Sequence, residues 1–238
     1  MAIPKFFHKT DTFIVGDTIS LSDDEVRHAS MSRRLQTDSE VILLNGHGWR
    51  ATGKFVQLSK RVGTVFIEEV IQLNRPVKKV TLACAIPKGD RQKVMFDMLT
   101  QCGVSDFIPL HCEFSVVKTS TKLIEKWQRI IVEACKQSGN AFTMQVHQPK
   151  SVVELMTELI ESDIWSESQL FRAELNGNSE PIVMTHNNLL ALIGPEGGFS
   201  QTEKELLDSA GVEKMSFSDH ILRTETAAVA AAVKLLNA

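Results

Sequence analysis

No two cysteines in this chain are spaced C-x-x-C, and its seven histidines fall in no ligand-like pattern. The usual zinc and dithiol-redox arrangements are therefore excluded, and no metal is expected. Cys84, Cys102, Cys112 and Cys135 are scattered, three of them inside apolar stretches, so buried and inert thiols are expected. No apolar run approaches the roughly 20 residues of a membrane span. The opening residues, MAIPKFFHKT, lack the apolar core of a secretory leader. A cytoplasmic protein with no membrane partner is the expectation. Low-complexity tracts and internal repeats are missing too. The net charge is only −3, which argues against a protein that simply coats nucleic acid.

What is present is globular. Hydrophobic residues make up 43% and charged residues 23% of 238, enough for one large domain or two modest ones. Charge is uneven along the chain. Residues 1–78 hold 11 Lys/Arg against 9 Asp/Glu, and the remainder holds 15 against 20. That permits a nucleic-acid patch on the first part without demanding one.

The two parts also differ in rhythm. SEVILLNGHGWRATGKFVQLSKRVGTVFIEEV alternates short apolar runs with turn residues. Asn45-Gly46 and Gly48 give a hairpin signal, and the whole suggests a small barrel or sandwich. A helical stretch, SDDEVRHASMSRRL, opens with Ser22 and Glu25 at capping-box spacing. Around LNRPVKK the rhythm breaks, which places a domain boundary between residues 73 and 74. From Val80 onward strands and helices alternate, predicting a mostly parallel α/β sheet. In GDRQKVMFDMLTQCG, Val94, Met98 and Cys102 form one helical stripe, with Met95 and Leu99 beside it. TKLIEKWQRIIVEACKQSG is a second amphipathic helix, and Ser151 with Glu154 caps a third.

Two stretches carry chemistry. LIGPEGGFSQTEKELL runs from a strand end through a glycine-rich turn into a helix, with Ser200 and Glu203 as a capping box. In an open α/β sheet ligands bind beyond such strand ends. The spacing matches neither G-x-G-x-x-G nor G-x-x-x-x-G-K-[ST], and Glu196 inside the turn repels phosphate. A neutral or cationic ligand that bonds to backbone suits the loop; a plain structural turn is the alternative. SFSDHILRTETAAVAAA again crosses from strand to helix. Glu225 there complements the helix dipole, but Arg223 does not. Its cost at that end points to a negative partner, a phosphate or a developing oxyanion.

Together LIGPEGGFSQTE and ILRTETAAVAA resemble the signature loops of the RsmE family, the 16S rRNA uridine-N3 methyltransferases of the SPOUT superfamily. IPKFF, RHASMSRRL, PKGDRQKVMFDMLTQCGVSDFIPL, SVVK and IIVEACKQSG follow the family's order along the whole chain. The resemblance implies a PUA-like β-barrel RNA-binding domain over residues 1–73. It implies an α/β-knot methyltransferase domain with a deep C-terminal trefoil knot over 74–238. A homodimer acting on 16S rRNA or the small ribosomal subunit is implied, with S-adenosylmethionine as methyl donor.

The cofactor would be held by Ile193, Gly194, Pro195, Glu196, Gly197 and Gly198 in one loop. Phe217, Ser218, Ile221, Leu222, Thr224 and Thr226 would serve in a second, and Leu170 and Phe171 at a third strand end. Arg223 is the candidate for stabilising a uridinate, and Glu225 for orienting it or taking a proton. Lys5, Arg27, Arg33 and Arg34 are candidate RNA contacts, with Lys88 and Arg91 on the catalytic side. His28 and His220 are weighed as groups that approach substrate, against the commoner structural role of a lone histidine. The chain departs from the family pattern at Gln101, at Asn140, and at Ser218-Asp219-His220, where the family has Gly-x-Arg. Rival readings are a SPOUT enzyme acting on another RNA atom, an RNA-binding assembly factor with a degenerate site, and a Rossmann oxidoreductase, which the missing fingerprint disfavours.

Overall fold

The computed structural model describes residues 3–162 and 167–238, leaving aside the side chain of Ser32. Two compact units emerge. One takes the chain up to Arg75 together with Val132–Thr143; the other takes Pro76–Ile131 and Met144–Ala238.

The first unit is a five-stranded sheet in the order β1-β3-β4-β5-β2. Its strands are β1 (Lys5–Phe7), β2 (Thr18–Ser20), β3 (Glu40–Leu44), β4 (Trp49–Leu58) and β5 (Gly63–Gln72). β1 pairs with β3 in parallel and the other pairs are antiparallel. Alternation along β3, β4 and β5 sends Val41, Leu43, Ala51, Phe55, Val65 and Ile67 to one buried face, where Phe6 and Val26 meet them. Asn45 is buried and organises the β3–β4 turn. Its Oδ1 accepts from the N–H groups of His47 (2.8 Å) and Trp49 (3.1 Å), and its Nδ2 donates to the carbonyls of Thr10 and Asp11. Gly48 has φ +94°, and a Cβ there would lie 2.5 Å from the Phe142 ring.

Helix α1 (Asp23–Arg27) follows its expected N-cap, Ser22, and runs into a π-helical turn, His28–Ser32. Only half of the capping box forms. Ser22 Oγ accepts from the Glu25 N–H, but the Glu25 carboxylate turns to Lys136 at 2.8 Å. A buried cation competes successfully for that carboxylate.

The second unit is built on parallel strands in the order β12-β10-β11-β6-β7-β8, with β9 beside β7. These are β6 (Lys79–Ala85), β7 (Asp106–His111), β8 (Gln145–Val146), β9 (Lys150–Ser151), β10 (Ser168–Asn178), β11 (Asn188–Ile193) and β12 (Glu213–Met215). Among the described residues the helices that accompany them are α2 (Arg91–Cys102), α3 (Thr121–Ser138), α4 (Val152–Glu161), α5 (Gln201–Ser209) and α6 (Thr224–Leu236). The last residues of α3 belong to the first unit. The continuous apolar runs of β6 and β11 are buried, as expected of strands covered on both faces. α4 and α5 cover one set of side chains, including Leu190, Leu192, Leu155 and Leu207. α6 packs on β6, β11 and α2.

On α2 the structure turns the expected stripe around. Met95, Phe96 and Leu99 are buried, whereas Val94 and Met98 are 46% and 45% exposed. Two apolar stripes lie side by side on this helix. The one containing Phe96 goes inward, because that ring stacks on Trp127 at 4.7 Å and meets Phe107 at the same distance. Among the described residues no helix is long and apolar enough to cross a membrane.

Candidate active site

The site sits beyond the carboxyl end of β11 and beside the middle of β10. β11 ends at Ile193 and the glycine loop follows at once. A turn closes it, with the Gly198 N–H donating to the Pro195 carbonyl at 2.8 Å. Gly198 has φ +73°, which an L side chain rarely adopts. Ser200 then caps α5 in a complete box. Its Oγ accepts from the Glu203 N–H and its own N–H donates to Glu203 Oε2 at 2.8 Å.

The second loop leaves β12 at Ser216. Ser216 Oγ donates to the Ser218 carbonyl (2.9 Å), and Ser218 Oγ accepts from the His220 N–H (3.1 Å). Arg223, in extended conformation, is the N-cap of α6 and makes no side-chain cap bond. Thr224 is buried, and its Oγ1 donates to the Gly194 carbonyl at 3.5 Å. That contact ties the two loops together.

Between them lies a cleft of about 250 Å³. Of the expected cofactor residues, Ile193, Gly194, Pro195, Glu196, Gly198, Phe217, Ser218, Ile221, Leu222 and Thr224 line it. Four do not. Gly197 faces the Phe114 side chain, Thr226 is exposed on α6, Phe171 is buried within β10, and Leu170 lies at the other end of the strand. The third wall is instead Ala173, Glu174 and Leu175. The parallel register explains the shift. Arg172 stands beside Leu192, so residues after it are the ones level with the glycine loop. Phe199, Lys204, Ser216 and Ala227 also line the cleft and were missed. For Lys204 the signal is its place as the fourth residue of the helix that the glycine loop starts. His220, one of the two histidines weighed as approaching substrate, is on the cleft wall.

Charges surround the loops unevenly. Arg91, at the start of α2, places Nη1 3.1 Å from Glu196 Oε1 and 3.8 Å from Glu225 Oε2. Glu225 Oε2 is buried with no hydrogen-bond partner. Arg223 and Lys88 are exposed, and neither forms an ion pair among the described residues. Glu225 thus answers to Arg91 rather than to Arg223. Elsewhere Arg27 pairs with Asp24 at 2.7 Å, Arg33 and Arg34 are exposed, and Lys5 is half-buried in β1.

Cys84, Cys112 and Cys135 are buried, whereas Cys102, the last residue of α2, is only half-buried, contrary to the expectation of buried thiols throughout. Cys84 lies fully buried, and burial, then Cys112, Glu225 and Glu196, push its thiol well up. Burial, chiefly, pushes Cys112 and Cys135 up to about 12. Protonated, enclosed thiols are poor nucleophiles.

A family model describing an RNA methyltransferase domain matches residues 74–236. The chain belongs to the ribosomal RNA small subunit methyltransferase E family. The family's protein from Synechocystis is 30% identical over 93% of this chain and 74% of its own length. That from Aquifex aeolicus is 28% identical over 93% and 95%. The crystal structure of ribosomal RNA small subunit methyltransferase E from Neisseria gonorrhoeae, bound to S-adenosyl methionine, superimposes with a TM-score of 0.88. It is 26% identical, covering 99% of this chain and 98% of that one. The loops that suggested this methyltransferase E family are the two that meet at the cleft.

Proposed function

We propose that this chain transfers a methyl group from S-adenosylmethionine to N3 of a uridine in the decoding region of 16S rRNA. The observation that carries this reading is the convergence of the Gly194–Gly198 and Ser216–Thr224 loops on one cleft, in a chain of this family. The cleft fits the cofactor. A Cβ on Gly198 would meet nothing within 4 Å, so the loop leaves backbone open on the cleft side. Backbone N–H and C=O groups can read an adenine edge, and Glu196 favours a cation over a phosphate. When bound, the cofactor supplies an electrophilic methyl on a sulfonium.

The chain's own residues position and polarise the acceptor. The uridine N3 proton must leave, and negative charge then spreads to O2 and O4. Arg223 is exposed at the N-cap of α6 and forms no ion pair among the described residues, so its guanidinium can stabilise that charge. Glu225, paired to Arg91, holds the first turn of α6 to α2.

The five-stranded unit would grip RNA through Lys5, Arg33 and Arg34, with Lys88 near the cleft. We read the active form as a homodimer. Val94 and Met98 on α2, and Ile221, 86% exposed beside the cleft, are apolar surface that a second copy would cover. Mass-spectrometric mapping of rRNA from cells with and without the gene tests the activity. The expected result is one N3-methyluridine that disappears with the gene. Loss of a ribose methyl instead would move the chemistry to another atom. Unchanged rRNA in cells lacking the gene would leave the assembly-factor reading.

A further inference from the structure

One corner of the cleft is polar in a way the glycine loop does not explain. Arg172, on β10, has a side chain only 1% exposed. A guanidinium removed from water is costly unless its N–H groups find partners. Here Nε donates to Glu174 Oε2 (2.9 Å), Nη1 to the Lys204 carbonyl (2.9 Å), and Nη2 meets Asp208 Oδ1 at 3.0 Å. Two of those three partners, Glu174 and Lys204, line the cleft. From beneath, Arg172 therefore fixes the middle of β10 against α5.

The two lining residues carry opposite charges, and both retain bonding capacity. Among the described residues Glu174 Oε1 accepts no hydrogen bond and the Lys204 ammonium forms no ion pair. A carboxylate and an ammonium held on adjacent elements match a ligand group that bears the reverse pair. S-adenosylmethionine ends in such a group, the ammonium and carboxylate of its amino-acid moiety. The glycine loop backbone with Ile193 and Leu222 offers the apolar and main-chain lining that suits the nucleoside.

We infer that Glu174 and Lys204 bind the zwitterionic amino-acid end of the cofactor, Glu174 taking the ammonium and Lys204 the carboxylate. Arg172 is the positioning residue that sets their spacing. This rests on the S-adenosylmethionine reading of the cleft and names a subsite within it.

Isothermal titration of the full chain with three probes tests it. S-adenosylmethionine and S-adenosylhomocysteine keep the amino-acid end, and 5′-methylthioadenosine lacks it. Glu174→Gln and Lys204→Met are each expected to weaken the first two by about tenfold, a charge-assisted contact's share, and to leave the third within about twofold. Arg172→Gln should show the same split. The third probe also reports whether each variant keeps a folded cleft. Equal losses for all three probes, or no loss for any, would overturn the assignment. A wild-type chain that binds none of the probes overturns the cofactor reading itself, and the subsite with it.

Discussion

Arg91 holds Glu196 across 105 residues of sequence, Nη1 to Oε1 at 3.1 Å, and so ties the start of α2 to the glycine loop. The pair is partly exposed, and such pairs contribute about 1 kcal/mol or less to stability. A double-variant cycle of Arg91→Ala with Glu196→Ala should therefore give a coupling of about 1 kcal/mol or less by chemical denaturation. Turnover should fall further than stability, by about tenfold or more, because a small displacement of a positioned loop is costly to rate. Equal activity in Arg91→Ala would show that the glycine loop needs no tether.

At the N-cap of α6, Arg223 forms no ion pair among the described residues. Arg223→Ala is expected to keep cofactor affinity and to lose about 10²–10³ in kcat, the size of one lost oxyanion donor. Titration with S-adenosylmethionine and methyl incorporation into 16S rRNA separate the two effects. Full turnover in this variant would remove Arg223 from the chemistry.

Within the first unit, Lys136 and Glu25 form a buried pair at 2.8 Å, their side chains 6% and 9% exposed. Removing one charge strands the other. Lys136→Met should cost about 3 kcal/mol, and adding Glu25→Gln should return part of it. Denaturant midpoints measure both. Lys136→Met as stable as wild type would show that the buried Glu25 needs no cation, whereas Glu25→Gln alone at wild-type stability would mean that Glu133, also 2.7 Å from Lys136, balances the ammonium from the surface.

Asp106 gives the fold an acid-sensitive point. Burial alone would raise its carboxyl, but the hydrogen bond with His147 at 2.6 Å and the charge of Lys79 outweigh burial and hold it below its ordinary 3.8. A carboxyl depressed in the folded state stabilises fully above its unfolded value. That contribution is lost as pH falls through the lower folded value. Asp106→Asn should thus be less stable than wild type at neutral pH, and the gap should close progressively below about pH 4. A gap independent of pH would assign the loss to packing.

Much of this was legible in local chemistry. Ser151 with Glu154 and Ser200 with Glu203 form complete capping boxes because both partners lie within one turn and each glutamate keeps a carboxylate oxygen on its cap's N–H. Ser22 with Glu25 has the same spacing and forms only half, because Lys136, 111 residues away, takes the carboxylate. On α2 the sequence offered two apolar stripes, and only the packing of Phe96 on Trp127 and Phe107 chose between them. Both signature loops are readable as turns that follow strands, and residues from both line the cleft; Arg223, between Leu222 and Thr224, does not line it. The third wall was placed at Leu170 and Phe171, short of Ala173–Leu175, because strand register is not written in periodicity.

The amino-acid sequence by itself determined the element types, the β-rich start and α/β remainder, the two functional loops and their family. Each depends on contacts within a few residues, or on motifs whose order along the chain is enough. Only the tertiary structure decided that Thr224 meets Gly194, that Arg91 meets Glu196 and Glu225, and that Arg172 reaches under the cleft to Glu174 and Lys204. It also decided that Val132–Thr143 belongs with the first unit. These are meetings of distant groups, fixed by how the strands order themselves and where buried charges find partners.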